Sequence, residues 1–107
     1  MIVSRLEDMK GGWFVGAFEP TAFSTLACEV SFKVHPAGQH WDKHYHVVAT
    51  EVNLLVYGSM TLQGRTLVAG DVFRLDPHEI ADPTFLMDCG VVCVKVPCVP
   101  GDKVVIS

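Results

Sequence analysis

The chain has 107 residues, half of them hydrophobic and 19% charged, and its formal net charge is −4. This length and composition fit one folded domain with a modest core and exclude a disordered chain. There is no basic run and no apolar run of the roughly 20 residues that a spanning helix needs, so we expect neither a nucleic-acid partner nor a membrane partner.

The N-terminal stretch "MIVSRLEDMKGGW" has no apolar core and no small-residue cleavage site, so we expect no signal peptide and a cytoplasmic protein. The chain shows no linker, repeat or low-complexity tract. This predicts a single domain over 1–107, with a core of about 26–97 and an extension at each end. The four cysteines are expected to be small buried hydrophobic residues: Cys28, Cys89, Cys93 and Cys98.

Strand patterns follow one another along almost the whole chain, after at most one helical turn near "RLEDMK". The stretch "ACEVSFKVH" alternates strictly between apolar and polar side chains, which is the period of a half-buried strand. A loop rich in Pro and Gly leads to "YHVVA", "EVNLLVYG" and "SMTLQ", and "QGR" predicts a tight hairpin turn into "TLVA". A Gly-Asp turn precedes "VFRL", and "CGVVCVKV" is the last long strand. About eight short strands with frequent turns predict an all-β barrel or sandwich.

Some of these strands are apolar on both faces, as in "VVCVKV". One face is expected to lie in the barrel interior, and the other needs a cover outside it. A second copy of the chain is one such cover, so we expect a homodimer.

The stretch "GQHWDKHYHVVATE" contains three of the five histidines of the chain. On a strand, His44 and His46 point to the same face, so their imidazoles can converge on one ion. Glu51 opens the next apolar run as a third possible ligand. Two imidazoles and one carboxylate suit divalent iron, manganese, nickel or zinc. The alternative is a purely structural role in a polar surface loop.

The spacing of this stretch resembles the first sequence motif of the cupin superfamily, G-x5-H-x-H-x3,4-E-x6-G. Gly38, His44, His46, Glu51 and Gly58 match it without a mismatch. The resemblance is to a small, single-domain cupin (a monocupin). It implies a double-stranded β-helix, also called a jelly-roll barrel, with a metal held in the barrel mouth by the two histidines and the glutamate.

The second cupin motif, G-x5-P-x-G-x2-H-x3-N, matches less well. Gly70 opens it, but Pro77 comes one residue late. With that insertion allowed, Glu79 falls on the second glycine position and Asp82 on the histidine position. We favour Asp82 as the fourth metal ligand. The alternatives are His78, which lies three to four residues early, and a degenerate site that lacks a fourth ligand.

The pocket beside the metal is predicted from strand alternation. Asn53, Leu55 and Tyr57 share the face of Glu51 if that strand is regular, so we expect them to line the pocket. Trp41 either walls the entrance or lies at a subunit contact. His78 is a further pocket candidate or, alternatively, a partly exposed loop residue.

Two functions follow from the resemblance. The first is a metal-dependent enzyme of isomerase or dioxygenase type that acts on a small polar or anionic metabolite, with Glu79 or Asp82 moving protons. The alternative is a non-catalytic module that binds a sugar or an organic acid, with a degenerate metal site. The sequence lacks the glycine-rich and nucleophile motifs of dinucleotide enzymes, nucleotidases and serine hydrolases.

Overall fold

Ten strands and two short 3-10 turns make up the regular structure of the computed structural model, which describes residues 1–106. The turns are Leu6–Asp8 and Lys10–Gly12. The strands are β1 (Trp13–Val15), β2 (Glu29–His35), β3 (His44–His46), β4 (Thr50–Tyr57), β5 (Ser59–Leu62), β6 (Arg65–Val68), β7 (Val72–Leu75), β8 (Thr84–Phe85), β9 (Cys89–Val96) and β10 (Lys103–Val105). None of the helical segments described is long and apolar enough to cross a membrane.

Three antiparallel sheets share these strands. The largest has the order β1-β2-β9-β4-β7, and the others are β10-β3 and β6-β5-β8. Side chains from all three sheets line one interior cavity. The all-β prediction is therefore confirmed, and "CGVVCVKV" and "VFRL" are strands β9 and β7 in full.

The hairpin between β5 and β6 has the predicted two-residue turn. Gln63 and Gly64 both have positive φ angles, of 51° and 71°, which is the pattern of the type I′ turn that suits the twist of paired strands. The second turn residue is a glycine, which adopts such angles without strain.

The segments that flank the predicted core of 26–97 are built into the sheets. β10 pairs with β3, with Lys103 opposite His46, and β1 pairs with β2, with Trp13 opposite Ser31. Because of these pairings, both flanking segments contribute side chains to the cavity.

The polar face of β2 points into the barrel. Ser31, Lys33 and His35 line the cavity, whereas Val34 is exposed on the outside. A core of apolar side chains fills the interior beside this polar region: Leu55, Met60, Leu62, Leu75, Ala81, Phe85, Cys89 and Val91. All of them except Leu55 and Cys89 also line the cavity. The four cysteines are free thiols. Cys89 and Cys98 are buried, as expected, whereas Cys28 and Cys93 are half-buried.

Candidate metal-binding cavity

The cavity has a volume of about 260 Å³ and brings together the residues of the first sequence motif. His44 and His46 on β3 both face it, are each 6% exposed, and have ring centroids 5.7 Å apart. Tyr45, between them, points away and lies against His78. Glu51, the second residue of β4, places its carboxylate Oε1 4.0 Å from Nδ1 of His46.

The ring of His44 is oriented by the backbone of the preceding loop. Its Nδ1 lies 2.9 Å from the carbonyl oxygen of Asp42. A carbonyl only accepts hydrogen bonds, so this nitrogen carries the proton. In the neutral ring the lone pair then lies on Nε2, and such an arrangement is the usual support for a metal-ligating histidine.

The ring of His46 has an unsatisfied nitrogen. Its Nε2 is buried and, among residues 1–106, has no hydrogen-bond partner. Burial lowers the pKa of His46, and the nearby charge of Lys95 adds to this effect while Glu51 opposes it. The ring is therefore kept in the neutral form that binds a metal ion.

The carboxylate of Glu51 is also oriented. Asn53, two residues along β4 on the same face, donates a hydrogen bond of 2.9 Å from its Nδ2 to Oε2 of Glu51. Over residues 1–106, no three His, Cys, Asp or Glu side chains are close enough together to hold a metal ion as they stand. Binding through His44, His46 and Glu51 therefore requires side-chain rotation. Rotation of the His46 ring breaks no hydrogen bond at Nε2, because that nitrogen has no partner among the described residues.

Asp82 does not lie in this cluster, which departs from the expectation for the fourth ligand. Its neighbours Ala81 and Pro83 line the cavity, and Asp82 lies between them on an extended segment, so its side chain points the other way. Its Oδ1 accepts a hydrogen bond of 3.3 Å from the backbone N–H of Gln63.

Glu79 and His78 also lie outside the cavity, contrary to expectation. The Glu79 carboxylate accepts hydrogen bonds from the backbone N–H of Asp76, at 3.1 Å, and from the Gln63 amide, at 3.0 Å. These two bonds lower the pKa of Glu79 and hold it in a surface turn. His78 is exposed and has a φ of 67°. Neither residue is placed to move protons within the cavity.

The predicted pocket residues divide into two groups. Trp41 and Asn53 line the cavity. Leu55 faces inward but is fully buried in the apolar core, and Tyr57 is exposed. The pairing of β4 with β9 shifts register between Leu55 and Tyr57, so the alternation that places Asn53 inside does not extend to Tyr57.

Three lysines and Trp13 also line the cavity and were not singled out from the sequence, and all three lysines lie close to the ring of Trp13 or of Trp41. The Nζ atom of Lys33 lies 4.8 Å from the ring centroid of Trp13 and 5.0 Å from that of Trp41. Lys95 lies 4.8 Å from Trp13, and Lys103 lies 4.7 Å from Trp41. Burial lowers the pKa of Lys33 and of Lys103, and in both cases the charge of Lys95 adds to the effect.

A sequence signal existed for two of these lysines. Lys33 and Lys95 lie on the same faces of β2 and β9 as Ser31 and Cys93, all four of which line the cavity. Strand alternation placed Lys33 and Ser31 together, but did not show that their face is the inner one. Lys103 comes from a segment predicted as an extension.

Ser31 and Cys93 form an opposed pair on β2 and β9 and complete this side of the cavity. The Ser31 hydroxyl is 0% exposed and, like Nε2 of His46, has no hydrogen-bond partner in the described part of the chain. Burial, together with the charge of Glu51, raises the pKa of the Cys93 thiol, so that it keeps its proton.

No protein-family model matches the sequence, and no curated protein matches it. Solved structures do match. An uncharacterized conserved protein with a double-stranded β-helix domain, from Klebsiella pneumoniae, gives a TM-score of 0.69 at 19% identity, over 76% of this chain and 71% of that chain. The DMSP lyase DddQ from Ruegeria pomeroyi gives a TM-score of 0.72 at 17% identity, over 87% of this chain and 49% of the lyase. A cupin protein from Bacteroides fragilis gives a TM-score of 0.57 at 24% identity, over 71% of this chain and 70% of that protein.

These similarities concern the fold. All three identities are below 25%, and this chain spans only about half the length of the lyase, 49%. What the three structures share with this chain is the antiparallel barrel that encloses the cavity.

Proposed function

We propose that this chain, which has the double-stranded β-helix fold of the cupins, binds one divalent metal ion through His44, His46 and Glu51 and acts on a small polar or anionic metabolite in the cavity. The observation that carries the proposal is the buried, unpartnered Nε2 of His46 in a cavity that His44 and Glu51 share. Leaving such an atom unpaired costs free energy unless a ligand satisfies it.

The donor set fits a divalent ion. Two neutral imidazoles and one carboxylate bind iron(II), manganese, nickel or zinc and leave coordination positions for a substrate. The Asp42 carbonyl and the Asn53 amide hold His44 and Glu51 in the way that supporting residues orient metal ligands. When bound, the ion supplies Lewis acidity toward a substrate oxygen or a position for dioxygen, the chemistries of isomerases and dioxygenases respectively.

The other side chains of the cavity have roles that do not need the ion. Trp41 and the apolar wall exclude water from one side of a bound metabolite, and the lysines attract negative charge. The lyase among the similar structures indicates that this fold can support catalysis, although at 17% identity it says nothing about the substrate here.

A non-catalytic module that binds a sugar or an organic acid is the second candidate. It is favoured by one observation: within residues 1–106, Glu51 is the single carboxylate among the side chains that line the cavity. No second carboxylate is left to move protons once Glu51 binds a metal. Mass spectrometry distinguishes the two candidates. A metabolite that the protein captures is incubated with fresh protein and then analysed: an enzyme converts it, whereas a binding module returns it unchanged.

Metal content tests the proposal. We expect the protein, purified without chelator or affinity metal, to carry about one equivalent of a divalent metal. A double variant, His44→Ala with His46→Ala, should lose it while keeping a β-rich circular dichroism spectrum. The matched control is His78→Ala, which removes an exposed imidazole and should keep the metal. Equal metal content in the double variant and the parent would show that the assignment is wrong.

A further inference from the structure

We infer that the cavity mouth binds the carboxylate groups of a small dianionic ligand through the ammonium groups of Lys33, Lys95 and Lys103. This inference names the substrate class of the proposed function. It rests on that function only in taking the bound anion as the metabolite acted on. The anion site itself is formed by the lysines and does not require the metal.

The three ammonium groups converge on one small region. Each lies 4.7 to 5.0 Å from the ring centroid of Trp13 or Trp41, and Lys33 lies near both rings. Interaction with an aromatic face holds a cation in place but does not neutralise its charge. The arrangement therefore positions positive charge at the cavity without compensating it.

The charges around the cavity are unbalanced. Over residues 1–106, none of the three lysines has a carboxylate oxygen within 4.0 Å of its Nζ atom. Among the described side chains that line the cavity, three lysines stand against one carboxylate, Glu51. Asp42 is a further negative charge near Lys103, but it does not line the cavity. Burial is the main cause of the lowered pKa of Lys33, and repulsion by the charge of Lys95 adds to it. A ligand with two negative charges would balance the site.

The shape and the polar groups of the cavity favour a small carboxylate. Its volume of about 260 Å³ is below the usual range of roughly 300–1,000 Å³ for drug-sized ligands. The unpartnered Ser31 hydroxyl, on the same face of β2 as Lys33, is a buried donor for a ligand oxygen. The described residues of this cavity come from strands and loops, so its anion-binding groups are the lysine ammonium groups and the Ser31 hydroxyl.

Tryptophan fluorescence gives a direct reading of this site, because Trp13 and Trp41 are the two tryptophans of the chain. Metal-free protein is titrated at pH 7 with succinate, with the uncharged succinamide of similar size, and with inorganic phosphate. Calorimetry on the same samples gives the affinity. We expect succinate to change the fluorescence and to bind more weakly as salt is added, and succinamide to have no effect. Equal responses to succinate and succinamide, or tighter binding of phosphate, would overturn the assignment.

Variants locate the site. Lys33→Met and Lys95→Met, which remove the ammonium group and keep most of the unbranched side chain, should each weaken succinate binding about tenfold or more. Lys10→Met, at a lysine in the second 3-10 turn that does not line the cavity, should bind like the parent. Affinity unchanged in both cavity variants would contradict the inference.

The metal proposal and the anion proposal fail separately in this design. Loss of succinate binding in Lys33→Met with normal metal content supports the anion site. The variant His44→Ala with His46→Ala should still bind succinate when the protein is free of metal. If the parent carries no metal but binds succinate as described, the proposed function fails and the anion site stands.

Discussion

His46 is the residue that combines the most chemical signals in this chain. It matches the first motif, it is buried, and its Nε2 lacks a partner among the described residues. The motif spacing was enough to predict that His44, His46 and Glu51 face one cavity, because one strand carries both histidines on one face and Glu51 lies near the start of the next long strand.

The second motif shows why Asp82 could not be placed in the same way. On an extended segment, a shift of one residue turns a side chain to the opposite face. Because the sequence has one extra residue before Pro77, it does not show which residues after Pro77 face the cavity. In the structure Ala81 and Pro83 face the cavity, and Asp82 faces away from it.

Asn53→Ala tests how Glu51 is held. Removal of the amide that donates to Oε2 of Glu51 should weaken metal affinity about 10- to 100-fold, as for other residues that orient metal ligands. Competition with a chromophoric chelator measures the affinity. Asp82→Ala is the comparison variant and should bind metal as the parent does. The reverse order of effects would place Asp82, not Asn53, beside the ion.

At the scale of strands, local patterns predicted most elements but not how they pair. The hairpin turn at Gly64 and the full lengths of β7 and β9 followed from local sequence. The pairings of β1 with β2 and of β10 with β3 join segments that are separated in sequence, so no local pattern predicts them. For that reason Trp13 and Lys103 were missed as cavity residues.

Asp102 joins the segment before β10 to the loop between β3 and β4. Its carboxylate accepts hydrogen bonds from the backbone N–H groups of Val48, at 3.0 Å, and Ala49, at 2.9 Å. Burial alone would raise the pKa of Asp102, but these hydrogen bonds outweigh it and lower the pKa below its ordinary value of 3.8. The ionised side chain therefore stabilises the fold above about pH 4, and this contribution is lost as the pH falls through the lowered pKa.

Asp102→Asn should accordingly reduce the free energy of unfolding at pH 7 by about 1–3 kcal/mol, because the amide replaces a charged acceptor. Urea unfolding of the parent and the variant between pH 7 and pH 3 measures this difference in the free energy of unfolding. The difference should become smaller toward pH 3, because Asp102 in the parent becomes protonated there. Asp8→Asn, at an exposed position in the first 3-10 turn, is the control. A loss that stays constant down to pH 3 would contradict the role assigned to the charge.

The whole molecule exposes an apolar sheet face. On the outside of the five-stranded sheet, Leu54 is 37% exposed and pairs with Val92 on one side and Val72 on the other. Val94 lies similarly between Val30 and Val52. The strands that are apolar on both faces therefore cover the core with one face and present the other to solvent, which supports the prediction of a homodimer.

Sedimentation equilibrium at micromolar concentration tests this prediction. The parent should have the mass of two chains, and Leu54→Lys should have the mass of one, because the new charge would be buried at the contact. Val68→Lys is the control, since Val68 is also exposed, at 53%, but lies on β6 in another sheet. A parent that sediments as one chain would leave the apolar face without a partner.

We propose that His44, His46 and Glu51 together hold a metal ion. X-ray diffraction from crystals of the metal-loaded protein, measured at the absorption edge of the bound metal, locates such an ion. We expect one anomalous peak in the cavity, at about 2.0–2.2 Å from a nitrogen of each histidine and from an oxygen of Glu51. A peak at exposed His40 or His78 with none in the cavity would contradict it.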